Sequence, residues 1–218
     1  WDGGGGILLT VTPSGTEPPR LKFSDQGGYL VGSRPVGTSS TVGEITVWQQ
    51  LNNWAGFSIL GNKISVSARF SGHCVDISSD GEYIAAGSDD HRVYLFNKDS
   101  STPLWSYDTD NLVKTVDISL DGQTIVAGSK SNKIYLFGKE SNTPEWTYTF
   151  GQDVNSVSIS GNGNFVFAAD IYGSQVNFDA STGSKLWSYK DTNSSTSSYK
   201  RVTTSISADG KYLFSGSW

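Results

Sequence analysis

Two histidines, His73 and His91, one cysteine, Cys74, and carboxylates at Asp76, Asp89, Asp90, Asp117 and Asp170 are the groups in this 218-residue chain with chemistry to offer. A hydrolytic triad needs a histidine set against a nucleophile and oriented by a carboxylate. His73 precedes an apolar run, where Lys114 and Asn155 stand in the two segments that follow, and His91 lies in Ser88-Asp89-Asp90-His91-Arg92. Both read as solvated loop residues. The aspartates converging in three dimensions would make a glycosidase-type pair. Asp76 and Asp117 recur at one repeat position, which favours hydrogen bonding within each repeat unit instead. A lone Cys74 builds neither a disulfide nor a cysteine zinc site and reads as a small buried apolar residue. The expectation is a protein that is not an enzyme, with no catalytic residues, no metal and no cofactor.

The elements that carry these residues follow from a repeat. Val75-Asp76-Ile77-Ser78 with Asp80-Gly81 returns 41 residues later as Val116-Asp117-Ile118-Ser119 with Asp121-Gly122, and again as Val157-Ser158-Ile159-Ser160 with Asn162-Gly163. The same shift carries Val93-Tyr94-Leu95-Phe96 onto Ile134-Tyr135-Leu136-Phe137, and Trp105 onto Trp146 and Trp187. Fixed-period self-similarity of this length marks a repeat architecture. Each copy reads as four short strands, labelled A to D, the first two joined at Asp-Gly or Asn-Gly as a type I′ hairpin. A looser copy runs from Leu21 to Trp54, with an insertion between Gly32 and Ile45. Ile206-Ser207 with Asp209-Gly210 is displaced by 47 instead of 41, which places a longer loop over Asp191–Lys200.

These copies predict an all-β fold, a single β-propeller of four-stranded blades over residues 1–218. The blades fall at about 21–60, 73–110, 114–151, 155–191, and 202–218 together with 1–16. In that last blade Ile7-Leu8-Leu9-Thr10-Val11-Thr12 supplies the third strand beside the C-terminal pair, closing five blades and removing the free sheet edge. The alternative is a fragment of a ring of six to eight blades.

Composition narrows the partners. Sixteen Lys plus Arg against 21 Asp plus Glu give a net charge of −5 with no basic run, so nucleic acid is not an expected partner. No stretch reaches the roughly 20 apolar residues of a membrane-spanning helix. The chain has no Met, and the expectation is a numbering that begins inside a longer or processed polypeptide. One sequon, Asn193-Ser194-Ser195, and a single Cys favour an extracytoplasmic, secreted or cell-surface location, with a cytoplasmic one as the alternative. Oligomeric state is left open.

On these residues the chain resembles the WD40-like and quinoprotein-like (PQQ-like) propeller superfamily. Phe178-Asp179-Ala180-Ser181-Thr182-Gly183-Ser184-Lys185-Leu186-Trp187 looks like the tryptophan-docking motif of quinoprotein repeats, whose Trp packs between blades. The resemblance gives Trp54, Trp105, Trp146 and Trp187 a structural role, which their shared repeat position supports. WD40 repeats usually carry Gly-His before strand A and Trp-Asp after strand C. Here Gly72-His73 is the one Gly-His pair, and the strand C runs end in Phe96, Phe137 and Phe178. Propellers host binding, scaffolding and catalysis alike, so the resemblance implies fold more than function.

The expected binding surface is the channel mouth formed by the loops before strand A and between strands B and C. It would gather His73, Lys114, Asn155 and Arg201 from the first set and Asp89, Asp90, His91, Asp170, Tyr172 and Trp218 from the second. Mixed charge with Tyr, Trp and Arg suits recognition of a protein. The expected function is thus a protein-binding or assembly scaffold, with carbohydrate binding as the alternative and an enzyme with a site at the channel mouth as the third reading.

Overall fold

A computed structural model describes residues 20–26, 28–36, 42–50, 57–66, 74–190 and 202–217. Every regular element among them is a strand. Strands β1 (Arg20–Phe23), β2 (Tyr29–Val36), β3 (Val42–Gln50) and β4 (Phe57–Val66) form the first antiparallel sheet. The second holds β5 (Val75–Ile77), β6 (Tyr83–Gly87), β7 (Arg92–Asn97) and β8 (Trp105–Asp108). The third holds β9 (Val113–Ile118), β10 (Thr124–Ser129), β11 (Lys133–Gly138) and β12 (Trp146–Thr149). The fourth holds β13 (Val154–Ile159), β14 (Phe165–Asp170), β15 (Ser174–Asp179) and β16 (Lys185–Lys190). The described part of the fifth is the pair β17 (Val202–Ile206) and β18 (Leu213–Ser217). Five sheets of mostly four strands, each a meander, are the blades of a propeller, as the 41-residue period predicts. Residues 1–19, expected to close the ring, lie outside the described residues, as do Trp54 and the Asp191–Lys200 loop.

The turn between the first two strands of a blade shows why serine precedes Asp-Gly. Ser78, Ser119 and Ser207 each donate Oγ–H to the aspartate two residues on, at 2.6, 2.6 and 2.7 Å, and Ser160 donates to Asn162 at 2.7 Å. Each serine Oγ also accepts the N–H of the residue that opens the second strand, Tyr83, Thr124, Phe165 or Tyr212, at 3.0 Å. Only the glycine adopts positive φ, between 70 and 78°, so these are not the type I′ turns that Asp-Gly suggests. The side chain holds the aspartate in an ordinary conformation and one left-handed residue completes the turn. At Gly81 and Gly210 a Cβ would also overlap the aromatic ring of the preceding blade, Tyr29 and Phe165 respectively.

These turns join one another around the molecule. Gln26 N–H donates to Ser79 O (3.3 Å), Ser79 N–H to Leu120 O (2.9 Å), Leu120 N–H to Gly161 O (3.1 Å) and Asn162 N–H to Ala208 O (3.1 Å). Apolar clusters fill the spaces between successive blades, with Val31, Ile84 and Phe96 in the first, Leu95, Val116 and Phe137 in the second, and Leu136, Val157 and Phe178 in the third. Trp105 and Trp146 fasten the outer part of each interface. Their indole N–H groups donate to the carbonyls of Lys139 (2.7 Å) and Ala180 (2.6 Å) in the next blade, and their rings lie 5.3 and 5.5 Å from Phe137 and Phe178. Trp187 occupies the same repeat position on β16, meets Phe167 of its own blade at 5.5 Å and is 40% exposed.

Candidate functional site

The inner strands β1, β5, β9, β13 and β17 enclose a cavity of about 410 Å³, lined by Leu21, Lys22, Val75, Thr115–Asp117, Ser156–Ser158 and Thr203–Ser205. It is the central channel, and most of its lining is polar because strand A alternates an interblade apolar residue with one facing the axis. Those polar groups are occupied. Thr115 Oγ1 accepts the N–H of Val157 (3.3 Å), and Ser156 Oγ accepts the N–H of Thr204 (2.9 Å) while pairing with its hydroxyl (2.9 Å). Asp76 Oδ2 accepts the N–H of Ile118 (3.2 Å), and Asp117 Oδ2 that of Ile159 (2.8 Å). The repeated aspartates therefore bond between blades and not within one, as their shared position in the repeat suggested.

Asp76 and Asp117 are also the two carboxyls that act on each other electrostatically. Lys22 Nζ stands 3.3 Å from Asp76 Oδ1, and the charges of both act on Asp117. Loss of solvent, and then the charge of Asp76, push the Asp117 carboxyl well above the usual carboxylate range. The charges of Asp76 and Asp117 hold the Lys22 ammonium above its ordinary value against the opposing loss of solvent. A glycosidase pair stands about 5 Å or more apart to admit a sugar or water. Each of these carboxyls instead holds a backbone N–H of the next blade.

At the channel mouth the suspected residues divide. Asp170 is buried, and its Oδ1 accepts the N–H of both Tyr172 and Ser174 at 2.9 Å, which makes it a turn cap. Asp90 caps the corresponding turn of the second blade through Arg92 N–H (3.0 Å) and binds the Tyr94 hydroxyl (2.5 Å). Burial, and then that contact, push the Tyr94 phenol well up. Asn155 lies inside β13 and its Nδ2 donates to Val202 O (2.9 Å), so it links blades four and five. His91 is exposed, with φ at 74°, in register with Asn132 (64°) and Gly173 (84°). Its carbonyl receives the N–H (2.8 Å) and hydroxyl (2.9 Å) of Thr109. The backbone geometry of His91, more than its imidazole, is what the repeat uses. Lys114 lies in β9 at the same end as Asp89 and Tyr172, which is 37% exposed. His73, Arg201 and Trp218 lie outside the described residues.

Lys22 is the residue that reading from chemistry missed. It occupies, in the loosest copy, the repeat position of Asp76, Asp117, Ser158 and Ser205, so the signal lay in the alignment of the copies. Among the described residues no group of three or more His, Cys, Asp or Glu could hold a metal ion, and no helix is long and apolar enough to cross a membrane.

Comparison with known proteins gives two family matches. The family model described as outer membrane protein assembly factor BamB, a quinoprotein-like repeat, matches residues 89–217, and that of the WD domain, G-beta repeat, matches residues 64–97. A search of curated proteins finds no match.

Proposed function

The chain belongs to the quinoprotein-like β-propeller family whose model is described as outer membrane protein assembly factor BamB, and on that premise we propose that it is a non-enzymatic scaffold that binds a protein partner. The observation that carries this reading is the match itself, over 89–217, to a family described by its part in assembly. The WD-repeat match over 64–97 supports it, since WD repeats generally mediate protein interactions. The site favours it too. The carboxyls that would do chemistry cap turns or tie blades, leaving a rim of Asp89, His91, Lys114 and Tyr172 whose mixed polar and aromatic character suits a protein surface. A secreted or cell-surface location goes with this reading, supported by the sequon at Asn193 and the single Cys.

The test is capture of a partner from the native source by the intact chain, followed by the same capture with Tyr172→Ala and Lys114→Glu. Loss of a defined protein with both variants, whose thermal unfolding stays within a few degrees of the parent, supports the scaffold. Capture that ignores both rim substitutions removes this rim from the reading. Specific binding on a glycan array, abolished by Tyr172→Ala, replaces the protein partner with a carbohydrate.

A further inference from the structure

The interfaces that follow the second and third blades are built alike. The third strand of the next blade, β11 or β15, sets Phe137 or Phe178 against Trp105 or Trp146. The carbonyl two residues beyond that phenylalanine, Lys139 O or Ala180 O, then accepts the indole N–H. The fourth blade repeats one side of this arrangement. Phe167, Asn177 and Trp187 are cross-strand neighbours on β14, β15 and β16 and share a face. Beyond them the fifth sheet presents β18, and no described strand pairs with its outer edge, where β7, β11 and β15 lie in the preceding blades.

The groups on this face lack what their counterparts have. Trp187 is 40% and Tyr189 54% exposed, and the Trp187 indole N–H has no acceptor among the described residues. Asn177 stands at the repeat position of Leu95 and Leu136, which pack against Phe137 and Phe178 of the following blade. It is 7% exposed, and its Oδ1 is buried without a hydrogen-bond partner. Such an acceptor costs stability until a donor reaches it. All of β16 is exposed, with Lys185 and Lys190 at its two ends and no carboxylate between them. That charge favours an incoming segment with acidic ends.

On the reading of the chain as a scaffold for a protein, we propose that this slot takes an extended strand of the partner. The strand pairs with the edge of β18 and sets a bulky apolar residue on Trp187. It gives the indole N–H a backbone carbonyl and Asn177 Oδ1 a side-chain donor, and its acidic ends meet Lys185 and Lys190. Main-chain pairing supplies affinity in strand addition, and alternate side chains supply selectivity.

The experiment adds peptides to the intact chain and follows hydrogen exchange of the indole and β18 amide groups by NMR. The probe copies Lys133–Lys139, which fills the equivalent place after the second blade, with Lys133→Glu and Lys139→Glu; the unaltered sequence is the comparison. In the chain alone, the indoles of Trp105 and Trp146 are expected to exchange slowly and that of Trp187 fast. The acidic peptide is expected to slow Trp187 by about tenfold or more and to protect β18. The lysine-ended peptide is expected to bind about fivefold more weakly at low salt, a gap that closes at about 0.5 M salt. Trp187→Ala in the chain, or Phe137→Ala in the peptide, is expected to weaken binding about tenfold.

An acidic peptide that leaves Trp187 and β18 unchanged at millimolar concentration overturns the slot, while the rim tested by Tyr172→Ala and Lys114→Glu stands untouched. A Trp187 indole as slow as that of Trp105 in the chain alone also overturns it and makes another segment of this chain the occupant. Capture of the native partner that survives Trp187→Ala overturns it as well. Capture indifferent to both rim substitutions, with the peptide bound, counts against the rim alone.

Discussion

Asp209 shows how much one turn side chain carries. Its Oδ1 receives the Ser207 hydroxyl at 2.7 Å and the Lys211 N–H at 3.1 Å, and Lys211 Nζ lies 3.2 Å from Oδ2. These contacts, the Ser207 hydrogen bond first, bring its acidity down to about 2 from the usual 3.8. The stabilisation of this depressed carboxylate is present above pH 3.8 and is lost as pH falls through 2. Asn162 fills the same role in the fourth blade with a neutral amide that accepts from Ser160 and Asn164. Asp209→Asn is therefore expected to keep the turn near neutral pH and to lose less stability on acidification. Denaturant melts at pH 7 and pH 2.5 check this, and an equal acid loss in parent and variant would count against it. The Asp117 carboxyl in the channel is shifted the opposite way, so Asp209 and Asp117 are separable by pH.

At the scale of elements, the tryptophans divide by what lies beyond them. Trp146, half-buried, packs its ring against Phe178, hydrogen-bonds Ala180 O and presses on Gly183, where a Cβ would collide with the indole. Truncating such a ring costs about 3–5 kcal/mol through lost transfer energy and the cavity left behind. Trp187 sits on β16, where every residue is exposed, and its ring meets Phe167 at 5.5 Å. Trp187→Ala is expected to cost about 1–2 kcal/mol, well below Trp146→Ala, in chemical unfolding monitored by circular dichroism. Equal costs would mean that another segment covers Trp187. The sequence made the strands, the turns and the tryptophan positions legible, because each rests on local spacing: alternation, Ser-x-Asp-Gly, and a Trp at a fixed offset. It hid what depends on neighbouring blades. Asp170 and Asp89 look alike along the chain, yet one caps a buried turn. Asp76 looked internal to its blade because nothing local says that its acceptor oxygen reaches Ile118, more than 40 residues away. The turn type was misjudged for a related reason, since Ser78 relieves Asp80 of any need for positive φ.

The molecule as a whole is a chain of nearest neighbours. Each blade shares an apolar cluster, inner-strand hydrogen bonds and a turn contact with the next, and such repeat architectures distribute stability as local terms plus interfaces. Closure around a ring would make every blade answer to every other, whereas a row of interfaces lets damage stay local. Val202 gives a way to measure which regime holds. It is buried on β17, its carbonyl accepts Asn155 Nδ2, and the adjoining Thr204 bonds Ser156 of β13. Val202→Ala removes about 2 kcal/mol of packing, a change of roughly thirtyfold in the local opening constant. Nearest-neighbour behaviour predicts faster hydrogen exchange in β13, β14, β17 and β18, with β5 to β8, three blades back along the chain, unchanged. Uniform acceleration through all the blades would instead identify one cooperative unit, held by coupling that the successive interfaces do not supply.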